Sequence, residues 1–170
     1  MDGTLAPGNS TGIMNVGSTT FLGGGTYKWE IDTFGGVVGT NWDFLNITGD
    51  LTISASSGDQ FIIDVVSLLA ANDQAGPAAN FTFTNNYSFA IATASGALQG
   101  FDAGAFAINT AGFQNAMTAA GYLAGSWSVS QSGKSLMLNY TGATAIPEPN
   151  SASLVLLGLG LAYFQRRRNR

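Results

Sequence analysis

The sequence lacks cysteine and histidine altogether. Without cysteine no disulfide framework can form, and thiol use says nothing about compartment. Without either residue there can be no histidine general base, no Ser-His-Asp triad, no cysteine nucleophile and no His/Cys zinc site. Charge is also scarce: 9% of the 170 residues are charged, against a usual share of about 25%. Residues 1–146 carry only Lys28 and Lys134 as bases, against nine acids. A body with so few basic groups does not suit nucleic acid, whose phosphates call for clustered Lys and Arg.

What is present is glycine, with 23 residues, and a hydrophobic share of 45%. That share is too high for a disordered chain, and 170 residues suffice for one domain with a core. The composition fits an all-β exported protein. Alternating segments support this: 26–32 (TYKWEID) puts Tyr27, Trp29 and Ile31 on one face and Thr26, Lys28 and Glu30 on the other. Further strands are expected at 42–48, 50–55, 60–66, 80–84 and 87–93. Turns are expected at Gly23-Gly24-Gly25, Gly35-Gly36, Gly49-Asp50 and Ser57-Gly58-Asp59. Near the end, 126–130 and 135–140 flank Gln131-Ser132-Gly133-Lys134. This predicts a hairpin with Trp127 and Val129 facing Leu136, Leu138 and Tyr140. One helix is expected over 111–120, capped by Thr110, with Phe113, Ala116 and Met117 on one face and Gly121 ending it. Short strands at such spacing mean a sandwich, a barrel or a β-solenoid.

The C-terminus differs from the body. Residues 151–164 (SASLVLLGLGLAYF) hold no charge, and Arg166, Arg167, Arg168 and Arg170 follow at once. A 14-residue helix would span roughly 21 Å, short of a bilayer core of about 30 Å. Snorkelling arginines and the interfacial Tyr163 and Phe164 help to close the gap. The basic cluster would keep the extreme C-terminus cytoplasmic and place the body outside. Pro147 and Pro149 hold the preceding segment extended. The expected organisation is a β-rich extracytoplasmic domain over 1–145, a linker over 146–150 and a transmembrane sorting helix over 151–170.

Pro147-Glu148-Pro149, the apolar run and the terminal arginines together resemble the PEP-CTERM sorting signal of Gram-negative bacteria. The resemblance implies recognition and cleavage by an exosortase, a transient stay in the inner membrane through residues 151–165, and release to the cell surface or an extracellular matrix. The body is similar to the end of autotransporter-associated β-strand repeat proteins, through Leu5–Gly17, Gly25–Ile31 and Trp42–Ile53, with Phe44 at a free position. That similarity implies a right-handed parallel β-helix closed by a C-terminal hairpin cap, the alternative being a β-sandwich or jelly roll. The first 17 residues have no basic segment and no apolar run of an export signal, so the chain is expected to be the C-terminal piece of a longer protein.

Little in the body suggests chemistry, and no catalytic residue, metal site or cofactor is expected. Asp43, Asp50, Asp59, Asp64 and Asp73 are scattered, and Asp50 and Asp59 read as turn formers bonded to local backbone. Asn72-Asp73 alone falls far short of a calcium site. Trp29, Trp42 and Trp127 could stack on sugars, but their apolar neighbours favour a place in the core. The function expected is a structural or adhesive surface or matrix protein without catalytic activity. The alternative is an exopolysaccharide-binding module.

Overall fold

The computed structural model describes residues 3–147. They form fourteen strands and one short 3-10 turn, an all-β body. The strands are β1 (Thr4–Leu5), β2 (Ile13–Val16), β3 (Thr19–Phe21), β4 (Thr26–Ile31), β5 (Phe44–Ile47), β6 (Leu51–Ile53) and β7 (Phe61–Ser67). They continue as β8 (Tyr87–Ala94), β9 (Leu98–Gln99), β10 (Phe106–Asn109), β11 (Tyr122–Leu123), β12 (Ser126–Ser132), β13 (Ser135–Thr141) and β14 (Thr144–Ala145).

Three sheets share the chain in rotation. The first has the order β1-β4-β7-β10, the third β3-β6-β9, and every pairing in both is parallel. The second begins with parallel β2, β5 and β8, then ends in antiparallel β13 and β12. The chain therefore completes three circuits, visiting the sheets in the same order each time, before the hairpin β12–β13 closes the second sheet. A small antiparallel pair, β11–β14, stands apart.

Stacked inward positions build the core, because parallel register places like residues above one another. Leu5, Tyr27, Ile63 and Ile108 align across the first sheet. Leu45, Ala92 and Leu136 align across the second. Alternation along each strand is the cause: β7 and β13 bury every second residue. Phe21 and Phe61 stack with ring centroids 4.1 Å apart in the interior.

Turns between the second and third sheets are short and stack on one another. Asp50 donates its amide to Ser18 of the previous circuit and accepts from the amide of Ala97 in the next. Sequence reading had Asp50 bonding locally; its carboxylate instead ties successive circuits. Asp59 likewise lies over Gly23 of the preceding circuit, so close that a Cβ there would overlap its carboxyl group. Gly100 sits at φ 71°, and a Cβ on it would lie 2.6 Å from the carbonyl oxygen of Ile53. Gly100→Ala should destabilise the fold by about 1–3 kcal/mol, since both the left-handed backbone and the contact oppose a side chain. A urea titration beside the exposed Gly58→Ala checks this.

Long connections gather at the corner between the first and second sheets: 32–43, 68–86 and 110–125. Two expected elements fail here. Residues 80–84 are not a strand, and 111–120 are not a helix. Of the expected shared face, Phe113 is buried and Met117 packs on the core, but Ala116 is exposed. The backbone, however, takes its partners from other loops. Gln114 donates to Ser67 Oγ, and Asn115 holds both the amide and the carbonyl of Ala78. Those bonds replace the helical ladder and fix the segment as an irregular strap. Phe34, Phe81, Tyr87 and Phe113 form its aromatic packing.

Candidate functional site

The fold ends where the sorting segment begins. β14 finishes at Ala145, and the amide of Ile146 still donates to Gly121. Ile146 is 49% exposed and Pro147 is exposed too, so the motif starts on an open stretch directly after the last strand. Glu148, Pro149, the expected span over 151–165 and Arg166, Arg167, Arg168 and Arg170 lie outside the described residues. Among the described residues no helix is long and apolar enough to cross a membrane.

Within the body, sequence reading missed one buried polar cluster. Asp43 is fully buried and Glu30 is 2% exposed. The Asp43 carboxylate accepts from the amide of Gly12 at 2.8 Å and from that of Glu30 at 3.0 Å. It thereby pins the loop after β1 and the strand β4 to the start of β5. Burial pushes the Asp43 carboxyl up to about 7; the neighbouring Glu30 charge adds to this, while the two amide bonds and Lys28 oppose it. Glu30 Oε1 pairs with Lys28 Nζ, and its Oε2 has no hydrogen-bond partner. Burial and the Asp43 charge push the Tyr27 hydroxyl up as well, and Tyr27 donates to the carbonyl of Ile91.

This cluster is closed to substrate. Both Asp43 oxygens are engaged by backbone, so its role is to clamp two circuits together. The only sequence signal was Asp43 between Trp42 and Phe44, an acid within an apolar run. Asp64 stands on the outer side of the first sheet, bonded to Asn109. Asp73 lies in the 68–86 loop at φ 57°. The structure therefore does not bring Asp43, Asp50, Asp59, Asp64 and Asp73 into one site. Among the described residues no group of three or more acids could hold a metal ion.

The tryptophans lie inward. Trp29 is fully buried and donates from Nε1 to the carbonyl of Asp43 at 2.8 Å. Trp42 packs on Phe89, and Trp127 on Phe113 and Tyr140, both partly exposed. An open cavity of about 390 Å³ lies between β10 and β12, lined by Ala103, Phe106, Ile108, Trp127, Ser128 and Val129. Its walls carry no acid or base, so it offers no proton-transfer chemistry.

Comparison with known families bears on the tail. Residues 145–169 match the family model described as the PEP-CTERM protein-sorting motif. That motif implies export to the cell envelope or surface and processing by an exosortase. No curated protein and no solved structure matches the chain, so the similarity of the body to autotransporter-associated repeat proteins gains no support from them.

Proposed function

We propose that the chain is an exported structural or adhesive protein of the cell surface or extracellular matrix, without catalytic activity of its own. The match of residues 145–169 to the sorting motif carries this reading. It is joined to a body whose most deeply buried acid, Asp43, is spent on holding backbone. On this reading the three circuits are turns of a right-handed parallel β-helix, ended by the β12–β13 hairpin. Such a stack makes a stiff, extendable module. Residues 151–165 span the inner membrane of a Gram-negative cell for a time, with Arg166, Arg167, Arg168 and Arg170 on the cytoplasmic side. The exosortase then acts at or near Pro147-Glu148-Pro149 and the body passes to the surface. Its matrix partner is extracellular polysaccharide.

The sorting half of this reading is tested with residues 140–170 fused to an exported reporter in a host that has an exosortase. The reporter should reach the cell surface or medium in a shortened form. With Pro147, Glu148 and Pro149 all changed to Ala, it should remain uncleaved in the inner membrane. A reporter that stays in the cytoplasm or inner membrane with the intact tail would sink the idea.

A further inference from the structure

The outer side of the second sheet is a five-stranded, uncharged face. Its outward positions on β2, β5, β8, β13 and β12 hold Ser, Thr, Asn, Ala and a few apolar residues, with no acid or base. The body's charge lies elsewhere: Lys28 aligns with Asp64 across the first sheet, and Asp50 sits in the turn beyond β5. Lys134, at the hairpin tip, is turned to the carbonyl of Ser95.

Register arranges the polar side chains of this face in rows. Asn15, Asn46, Thr93, Ser135 and Ser132 line up across all five strands. Asn46 Nδ2 donates to Asn15 Oδ1 at 2.7 Å, and the hydroxyls of Thr93 and Ser135 are 2.7 Å apart. In a second row Ser88, Asn139 and Ser128 align; Ser88 Oγ donates to Asn139 Oδ1, and Asn139 Nδ2 reaches diagonally to Ser130 Oγ. These bonds fix the rotamers and leave further donor and acceptor capacity on each amide and hydroxyl. A face ordered in advance loses less entropy when it binds. At one corner Ile13 is 51% exposed, beside the half-buried Phe44 with which it aligns.

We propose that this face is the binding surface for an uncharged polysaccharide, a proposal that rests on the matrix reading above. Sugar hydroxyls both donate and accept, as do Ser, Thr and Asn. The Ile13–Phe44 corner suits the apolar C–H side of a sugar ring. Anionic polymers, nucleic acid and phospholipid headgroups would need counter-charges that the face lacks. Between the two polar rows lie Ala90 and Met137, but a protein interface takes its anchors chiefly from Trp, Tyr and Arg, and no outward position of this face holds one.

The test is affinity electrophoresis of the full chain, in mild detergent, through gels carrying neutral glucans and galactomannans or anionic alginate. The neutral gels should retard it and the alginate gel should not. Asn15→Lys with Ser88→Lys, and the same pair changed to Asp, should weaken retention about tenfold or more, because a charge must shed water without a partner. Gln99→Lys on the third sheet should leave retention unchanged, and circular dichroism melts establish that each variant folds. Retention by a neutral glycan that survives both double variants overturns the assignment of this face and leaves the matrix reading standing. Retention by alginate alone overturns the face as well. A chain that no glycan retains overturns the face and the polysaccharide partner together, while the reporter experiment still decides the sorting reading.

Discussion

Trp29→Ala should lower the stability of the body by about 3–5 kcal/mol, the usual cost of deleting a large buried aromatic side chain. Trp29 is the largest fully buried side chain. Its ring meets Phe89 of the second sheet at 5.3 Å and Trp127 of the hairpin at 6.2 Å. One residue therefore joins the circuits to their closing strands. Its Nε1 also serves the buried carbonyl of Asp43, which alanine would leave without that donor. Domains of this kind hold about 5–15 kcal/mol in all, so the variant should be unfolded or marginal at room temperature. Trp29→Phe keeps the ring packing and should cost less, about 1–3 kcal/mol. Urea midpoints of the three proteins give the comparison. A Trp29→Ala protein within 1 kcal/mol of the parent, as judged by about the precision of the method, would contradict the packing described.

The second large effect is on pH. The Asp43 carboxyl titrates at about 7 in the folded chain, against 3.8 as its ordinary value. The folded state therefore holds the proton more tightly than the unfolded chain does. Its contribution is fully present below about pH 4, falls steadily between about 4 and 7, and is gone above that window. The whole interval corresponds to about 4 kcal/mol. Asp43→Asn should flatten the difference between pH 4.5 and pH 8. It should also lose about 1–3 kcal/mol at the lower pH, because one of the amides of Gly12 and Glu30 then faces an NH₂ group. Subtracting the two stability curves isolates this residue from the other acids. A subtracted curve without slope across the window would overturn the assignment.

The tail and the body were unequally legible in the sequence. The sorting motif is a local string, read without knowing any fold. Strands β4 to β8 and the β12–β13 hairpin were visible because each buries alternate residues. The segments at 80–84 and 111–120 misled because their apolar residues also recur, by alternation in the first and at i, i+3, i+4 in the second. Phe81, Phe113 and Met117 do face the core, but the backbone bonds that decide between strand, helix and strap come from Ser67 and Ala78, more than thirty residues away from the strap they hold. Asp43 and Glu30 were hidden by distance too. Gly12 lies 31 residues from Asp43, and no local pattern shows that its amide points there. The uncharged face of the second sheet depends on the register of five strands, which no single segment contains.

The closing hairpin has one more consequence, for the order in which the chain takes shape. Its strands meet across a two-residue bend, Ser132 opposite Ser135. The parallel pairings instead join residues such as Thr4 with Thr26, Ile13 with Phe44 and Phe61 with Phe106. Closing those longer loops costs more entropy before any contact repays it. The cheapest nucleus thus lies at the end of the body that the ribosome makes last. Until that hairpin exists, the second sheet ends in an open edge at β8. A sheet that closes only with its last strands is the part of the body best kept open while a chain crosses a membrane.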